Sequence, residues 1–150
     1  MYTRQEIAKH KQAFWTTFGK YMQPVLSASG EPVNWMNYKT GVNGIQFKMD
    51  GDQWESSVGI HLVHASLELQ KETYEKLEGF KDMLEDVLEE EWEWRLLKQD
   101  EYGKIKSTVA THLYDVNLYD RKNWPALITF FKSGIVKLDE WWVNAKPFFE

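Results

Sequence analysis

The chain has 150 residues, a formal net charge of -5, and 15% aromatic residues, with eight Trp among them. That length suits one domain, which buries about 68–70% of its unfolded surface and needs no covalent staple. The absence of cysteine excludes disulfides, iron–sulfur clusters, thiolate zinc sites and cysteine nucleophiles and fits a reducing cytoplasm, while the acidic balance gives no global field favouring nucleic acid.

Thr3-Arg4-Gln5-Glu6 has the capping-box pattern and opens an amphipathic helix. Ile7, Phe14, Trp15, Phe18, Tyr21, Met22 and Val25 follow at helical spacing. Pro24 distorts the last turn, and residues 27–30 stop it. Residues 31–43 set Trp35 and Tyr38 among Asn, Lys, Thr and Gly, a pattern open to a short edge strand or an ordered loop. Gly41 and Gly44 bracket a turn, but no Lys-Ser or Lys-Thr follows to make a phosphate cradle.

Ile45, Phe47 and Met49 then alternate with Gln46, Lys48 and Asp50, the mark of a half-buried strand. Asp50-Gly51-Asp52-Gln53 supplies a turn, and Val58, Ile60 and Leu62 alternate again, so residues 45–63 read as a hairpin. Asp50 and Asp52 around Gly51 resemble a fragment of a calcium loop, but the closing Glu is missing. Ser66 offers a cap to a helix whose stripe is Tyr74, Leu77, Phe80, Leu84, Val87 and Leu88. Gly79 inside it costs about 1 kcal/mol relative to Ala. Glu89, Glu90, Glu91 and Glu93 crowd the end where the helix dipole disfavours negative charge, so a nearby Lys or Arg must offset them.

Trp92, Trp94 and Leu96 fall on one face of the next strand, with Glu93, Arg95 and Leu97 on the other. A turn over residues 99–103 leads to Ile105, Val109 and Leu113, which share a face with Ser107 and Thr111; Lys106, Thr108, Ala110 and His112 lie opposite. After a connection over residues 114–122, Asn123 caps the last helix, with Pro125 in its first turn. Trp124, Leu127, Ile128, Phe131, Ile135, Leu138, Trp141 and Trp142 form its stripe. Gly134 interrupts it without ending it, and Pro147 stops it. No signal peptide, membrane-spanning run, repeat or linker is read along the way.

The expectation is a single α+β domain in the order α-β-β-α-β-β-α, with two hairpins forming one four-stranded antiparallel sheet. All apolar strand faces turn to one side, and the helices lie mainly on it. Such a sheet has room for two helices, so a third must cover an edge, stack on the others or pack on another subunit. A homodimer is expected on that ground.

The other sheet face would display Gln46, Lys48, His61, Val63, Glu93, Arg95, Lys106, Thr108 and His112. It reads first as a solvated face with cross-strand ion pairs involving Glu93, and second as a binding surface made of Lys48, His61, Arg95, Lys106 and His112. His61 and His64 point to opposite faces and share no metal, and His61 meets His112 only if the strand order permits. No metal, cofactor or catalytic residue is assigned. Ser56, Ser57, Ser107 and Ser133 have no nucleophile-elbow sequence around them.

Four segments occur in a telling order: Phe14-Trp15-Thr16-Thr17-Phe18-Gly19; Asn34-Trp35 with Tyr38-Lys39-Thr40-Gly41; Glu90-Glu91-Trp92-x-Trp94; and Asn123-Trp124-Pro125-x-Leu127. Together they resemble a bacterial family, domain of unknown function family 4268, over nearly the whole chain. The resemblance implies members that occur alone and members fused behind domains similar to restriction-type nucleases. It implies no activity and carries over no functional residue. A nuclease site of the PD-(D/E)xK type is not found, because Gln70 stands where Asp52 and Glu68 would require a Lys. The sequence therefore points to a non-catalytic binding module, with an accessory role in nucleic-acid processing or defence, contacting DNA or a nuclease, as the alternative. Lys48, Arg95 and Lys106 would then be the phosphate contacts.

Overall fold

In the computed structural model, which describes residues 1–150, the alternating segments form β1 (Ile45–Gly51), β2 (Glu55–Leu62), β3 (Glu93–Gln99) and β4 (Ile105–Tyr114). They make one antiparallel sheet in the order β1-β2-β4-β3. The two hairpins meet through β2 and β4, which leaves β1 and β3 as edges. Residues paired across antiparallel strands share a face. Phe47 pairs with Ile60, Ile60 with Val109, and Val109 with Trp94. This row is apolar across all four strands, on the side that the alternation assigns.

Helices α1 (Arg4–Met22), α2 (Leu67–Glu78), α3 (Lys81–Leu88) and α4 (Trp124–Ala145) complete the α+β architecture. α4 packs on β1 and β2, α2 on β3 and β4, and both α1 and α3 pack on α4. The close seat of α4 depends on Gly134, where an added Cβ would lie 2.3 Å from Val58 Cγ1. The helix left over in the sequence reading is α1, and it stacks on α4 within the chain. Phe14, Trp15 and Phe18 hold it there, with ring centroids 5.7, 4.9 and 5.9 Å from that of Phe131. The homodimer expectation rested on an unplaced helix and loses that support.

Several local readings are corrected by tertiary contacts. The central helix divides at Gly79 and Phe80: the Gly79 N–H donates to Glu75 O and Lys76 O, and the Phe80 ring packs 5.3 Å from Phe148 and 5.7 Å from Phe149. The α1 capping box is present, but the helix stops at Met22, ahead of Pro24, with Val25 outside it. Asn123 precedes α4 without capping it; its side chain donates to Asn117 O instead. Within the glutamate run a basic partner is found only for Glu93, in Arg95; Lys137 Nζ donates to Leu88 O at the end of α3, and Glu90 accepts from Trp92 Nε1.

Residues 31–43 form an ordered loop with a single 3-10 turn, Trp35–Asn37, capped by the Asn34 side chain. Long-range hydrogen bonds fix its path. Trp35 Nε1 donates to Val25 O at 2.8 Å, and Trp142 Nε1 to Thr40 O at 2.8 Å. Asp139 of α4, buried, accepts from Tyr38 Oη at 2.5 Å and from Ala28 N at 2.7 Å. The loop thus lies beside the β1 edge, with the Tyr38 ring stacked 5.1 Å from Phe47.

Candidate functional site

The sheet face away from the helices holds all five residues of the expected binding surface. The register orders them into rows. Gln46 pairs with His61, His61 with Thr108, and Thr108 with Arg95. In the next row Lys48 pairs with Gly59, Gly59 with Ala110, and Ala110 with Glu93. Asp50, Ser57 and His112 form a third row. Toward the other end, Lys98 stands directly opposite Lys106. The face therefore runs from basic at the Lys98–Lys106 end to acidic at the end holding Asp50 and Glu55.

Lys98 is a functional candidate that sequence reasoning missed. Simple alternation puts Leu97 on the outer face and Lys98 inside. An irregularity between Arg95 and Lys98, with Leu97 at φ 50°, resets the alternation. The Leu97 N–H donates to Ser107 Oγ at 2.9 Å, and Ser107 Oγ in turn donates to the buried Gln70 Oε1 at 2.7 Å. Gln70, where the nuclease pattern needs Lys, is thus a packing clamp between α2 and β4. Asp52, which that pattern would use as a metal ligand, accepts from Trp54 N and Glu55 N in the hairpin turn.

Glu93 is the centre of the ionic contacts on this face. Arg95 Nε donates to Glu93 Oε1 at 2.6 Å, and His112 Nε2 lies 3.6 Å from Glu93 Oε2. The hydrogen bond from Arg95 holds the Glu93 carboxyl below its ordinary value and raises Arg95 in return. Lys48, Lys98 and Lys106 form no ion pair, so they are the cations that remain available.

β2 and β4 are neighbours, so His61 and His112 lie on adjacent strands. The register nevertheless separates them by the Gly59–Ala110 row. That row is a buried floor without side-chain relief: a Cβ on Gly59 would come within 2.5 Å of the Ala110 Cβ. No cluster of three or more His, Asp or Glu is placed to share a metal ion. Burial pushes His61 down to about 4, with Lys106, Lys48 and His112 adding in the same direction. His61 is therefore neutral at pH 7, and its row neighbours include no carboxylate to orient it. Ser57 pairs with His112, whose other neighbour is Glu93, the residue types of a nucleophilic triad. No hydrogen bond joins Ser57 to His112, and neither residue lines the cleft at residues 36–49.

The His61 shift has a testable sign. The unfolded chain protonates this group near pH 6.5 and the folded chain near 4, so its contribution is complete above 6.5 and falls away as pH drops through that window. Between about pH 7 and about pH 4.5 the wild type should lose about 2 kcal/mol more than His61→Gln in urea titrations. Parallel losses in the two proteins would show that the imidazole is not desolvated.

Sequence comparisons supply no site residues. No curated protein and no solved structure matches the chain. A family model does match, over residues 10–146, which spans every strand and most of the helical layer. The chain belongs to the family described as Domain of unknown function (DUF4268).

Proposed function

We propose that the protein is a non-catalytic binding module whose helix-free sheet face docks an anionic partner. The observation that carries this reading is the pair of lysines, Lys98 and Lys106, set directly opposite one another with no carboxylate partner. Like charges placed side by side destabilise a sheet, and an anion bound between them reverses that cost. Arg95, Lys48 and Thr108 extend the same surface.

A nucleic-acid backbone is the second reading, and the same cations favour it. Fluorescence anisotropy with a short labelled DNA duplex tests it. Three or four phosphate contacts predict a log–log salt slope of about -3 and loss of binding in the Lys98→Glu, Lys106→Glu double variant. No binding at low salt eliminates the nucleic-acid reading and leaves an acidic protein surface as the partner. Binding that survives the double charge reversal contradicts the assignment of this face.

A further inference from the structure

The edge of β1 carries a second opportunity for binding, which shares Lys48 with the outer face but none of its other cations. Val63 N donates to Gly44 O and Asp52 N to Glu55 O at the two ends of the β1–β2 ladder. In an antiparallel pair the bonded positions alternate, so Gln46, Lys48 and Asp50 are bonded to β2. Ile45, Phe47, Met49 and Gly51 turn their backbone groups outward. Ile45 is satisfied locally, by Val42 O and Thr40 Oγ1, and the Gly51 N–H by Asp50 Oδ1. The N–H and C=O groups of Phe47 and Met49 have no partner in the chain.

These four groups open into a cleft of about 710 Å3, lined by all of residues 45–49 together with Trp15 and residues 36–44. Strand residues of both parities line it, so the cleft runs along the strand edge. Its apolar wall is on the helix side, where Trp15, Met36 and Tyr38 stand. The charged residues of its lining are Lys39 and Lys48, and none is acidic. Asp50, the next residue along, is held by Gly51 N and by Lys11 at 3.5 Å.

We infer that this cleft receives an extended peptide segment of alternating apolar and acidic residues as a fifth strand on β1. The free backbone groups of Phe47 and Met49 require an extended chain. The strand period then sends alternate side chains to the Trp15–Met36–Tyr38 wall and to Lys48. A second copy of this chain fits less well. The symmetric register that uses all four free groups, and leaves Gly51 with Asp50, places Lys48 against its own counterpart. The inference rests on the binding-module reading, but its test reads β1 rather than the Lys98–Lys106 end, so the two can fail separately.

A blocked heptapeptide of alternating Glu and Val is the probe, added to the full chain labelled with 15N. The Phe47 and Met49 amides should shift, and Lys48→Glu should weaken binding about tenfold or more. Met49→Pro should have a similar effect while keeping the fold, because the N–H it removes lies outside the ladder; if that variant does not fold, Lys48→Glu decides. An equal affinity for the Lys-for-Glu peptide, or no shift at millimolar peptide, overturns the proposal. So does concentration-dependent broadening of these amides without peptide together with a dimer mass in sedimentation, which gives the edge to a second copy.

Discussion

Phe131→Ala is expected to lower the unfolding free energy by about 3–5 kcal/mol in urea denaturation. Phe131 is fully buried in α4, and its ring meets Phe14, Trp15 and Phe18 of α1. Truncation leaves a cavity between α4 and α1, where Phe14, Trp15 and Phe18 lose the ring they share. The same variant should speed hydrogen exchange in α1 more than in α2, which packs on the far strands. A loss below about 1 kcal/mol would place α1 elsewhere than against α4, and would restore the case for packing on another subunit.

Asp139→Ala should cost about 2–4 kcal/mol, since a buried hydrogen bond to a charged group contributes about 1.5–3 kcal/mol. Two donors lose their acceptor, Tyr38 Oη and Ala28 N. Ala28 is exposed and regains water, which keeps the total below twice the single value. The loop over residues 23–44 should loosen, visible as faster exchange at Thr40 and Tyr38 with the sheet unchanged. Burial, reinforced by Asp139, raises the Tyr38 phenol above its ordinary value of 10.0. Its contribution to stability is therefore whole below about pH 10 and declines as pH rises beyond that. Tyr38→Phe should shrink this alkaline decline, to which Tyr74 and Tyr119, also raised by burial, still contribute; an unchanged decline would show that the Tyr38 phenol is not desolvated.

Alternation made the sheet legible. Ile45, Phe47 and Met49, then Val58, Ile60 and Leu62, are unambiguous because one face is wet and the other buried. The same periodicity puts Lys48, His61, Arg95, Lys106 and His112 on one face whatever the strand order. What escaped depends on partners distant in sequence. Tyr74, Leu77, Leu84 and Leu88 keep one stripe through the break at Gly79 and Phe80, and only the docking of Phe80 on Phe148 and Phe149 enforces it. Leu96-Leu97-Lys98 carries no local sign of the irregularity that brings Lys98 out; the bond from Leu97 N to Ser107 does that. The cleft at β1 was unreadable for a different reason. A strand is an edge only by virtue of which neighbours it lacks, and hydrophobic pattern says nothing about that.

The decisive measurement uses the absence of native cysteine. Single cysteines placed at Gln46, Arg95, Ile60 and Val109 can be labelled with a maleimide in native buffer. Gln46 and Arg95 are exposed and Ile60 and Val109 buried, on opposite faces of the same sheet. Gln46→Cys and Arg95→Cys should react at the rate of a free thiol, while Ile60→Cys and Val109→Cys should react only as fast as the protein opens. Rapid labelling at Ile60 and Val109, or protection at Gln46 and Arg95 in a monomeric sample, would contradict a sheet with one face under helices and the other free.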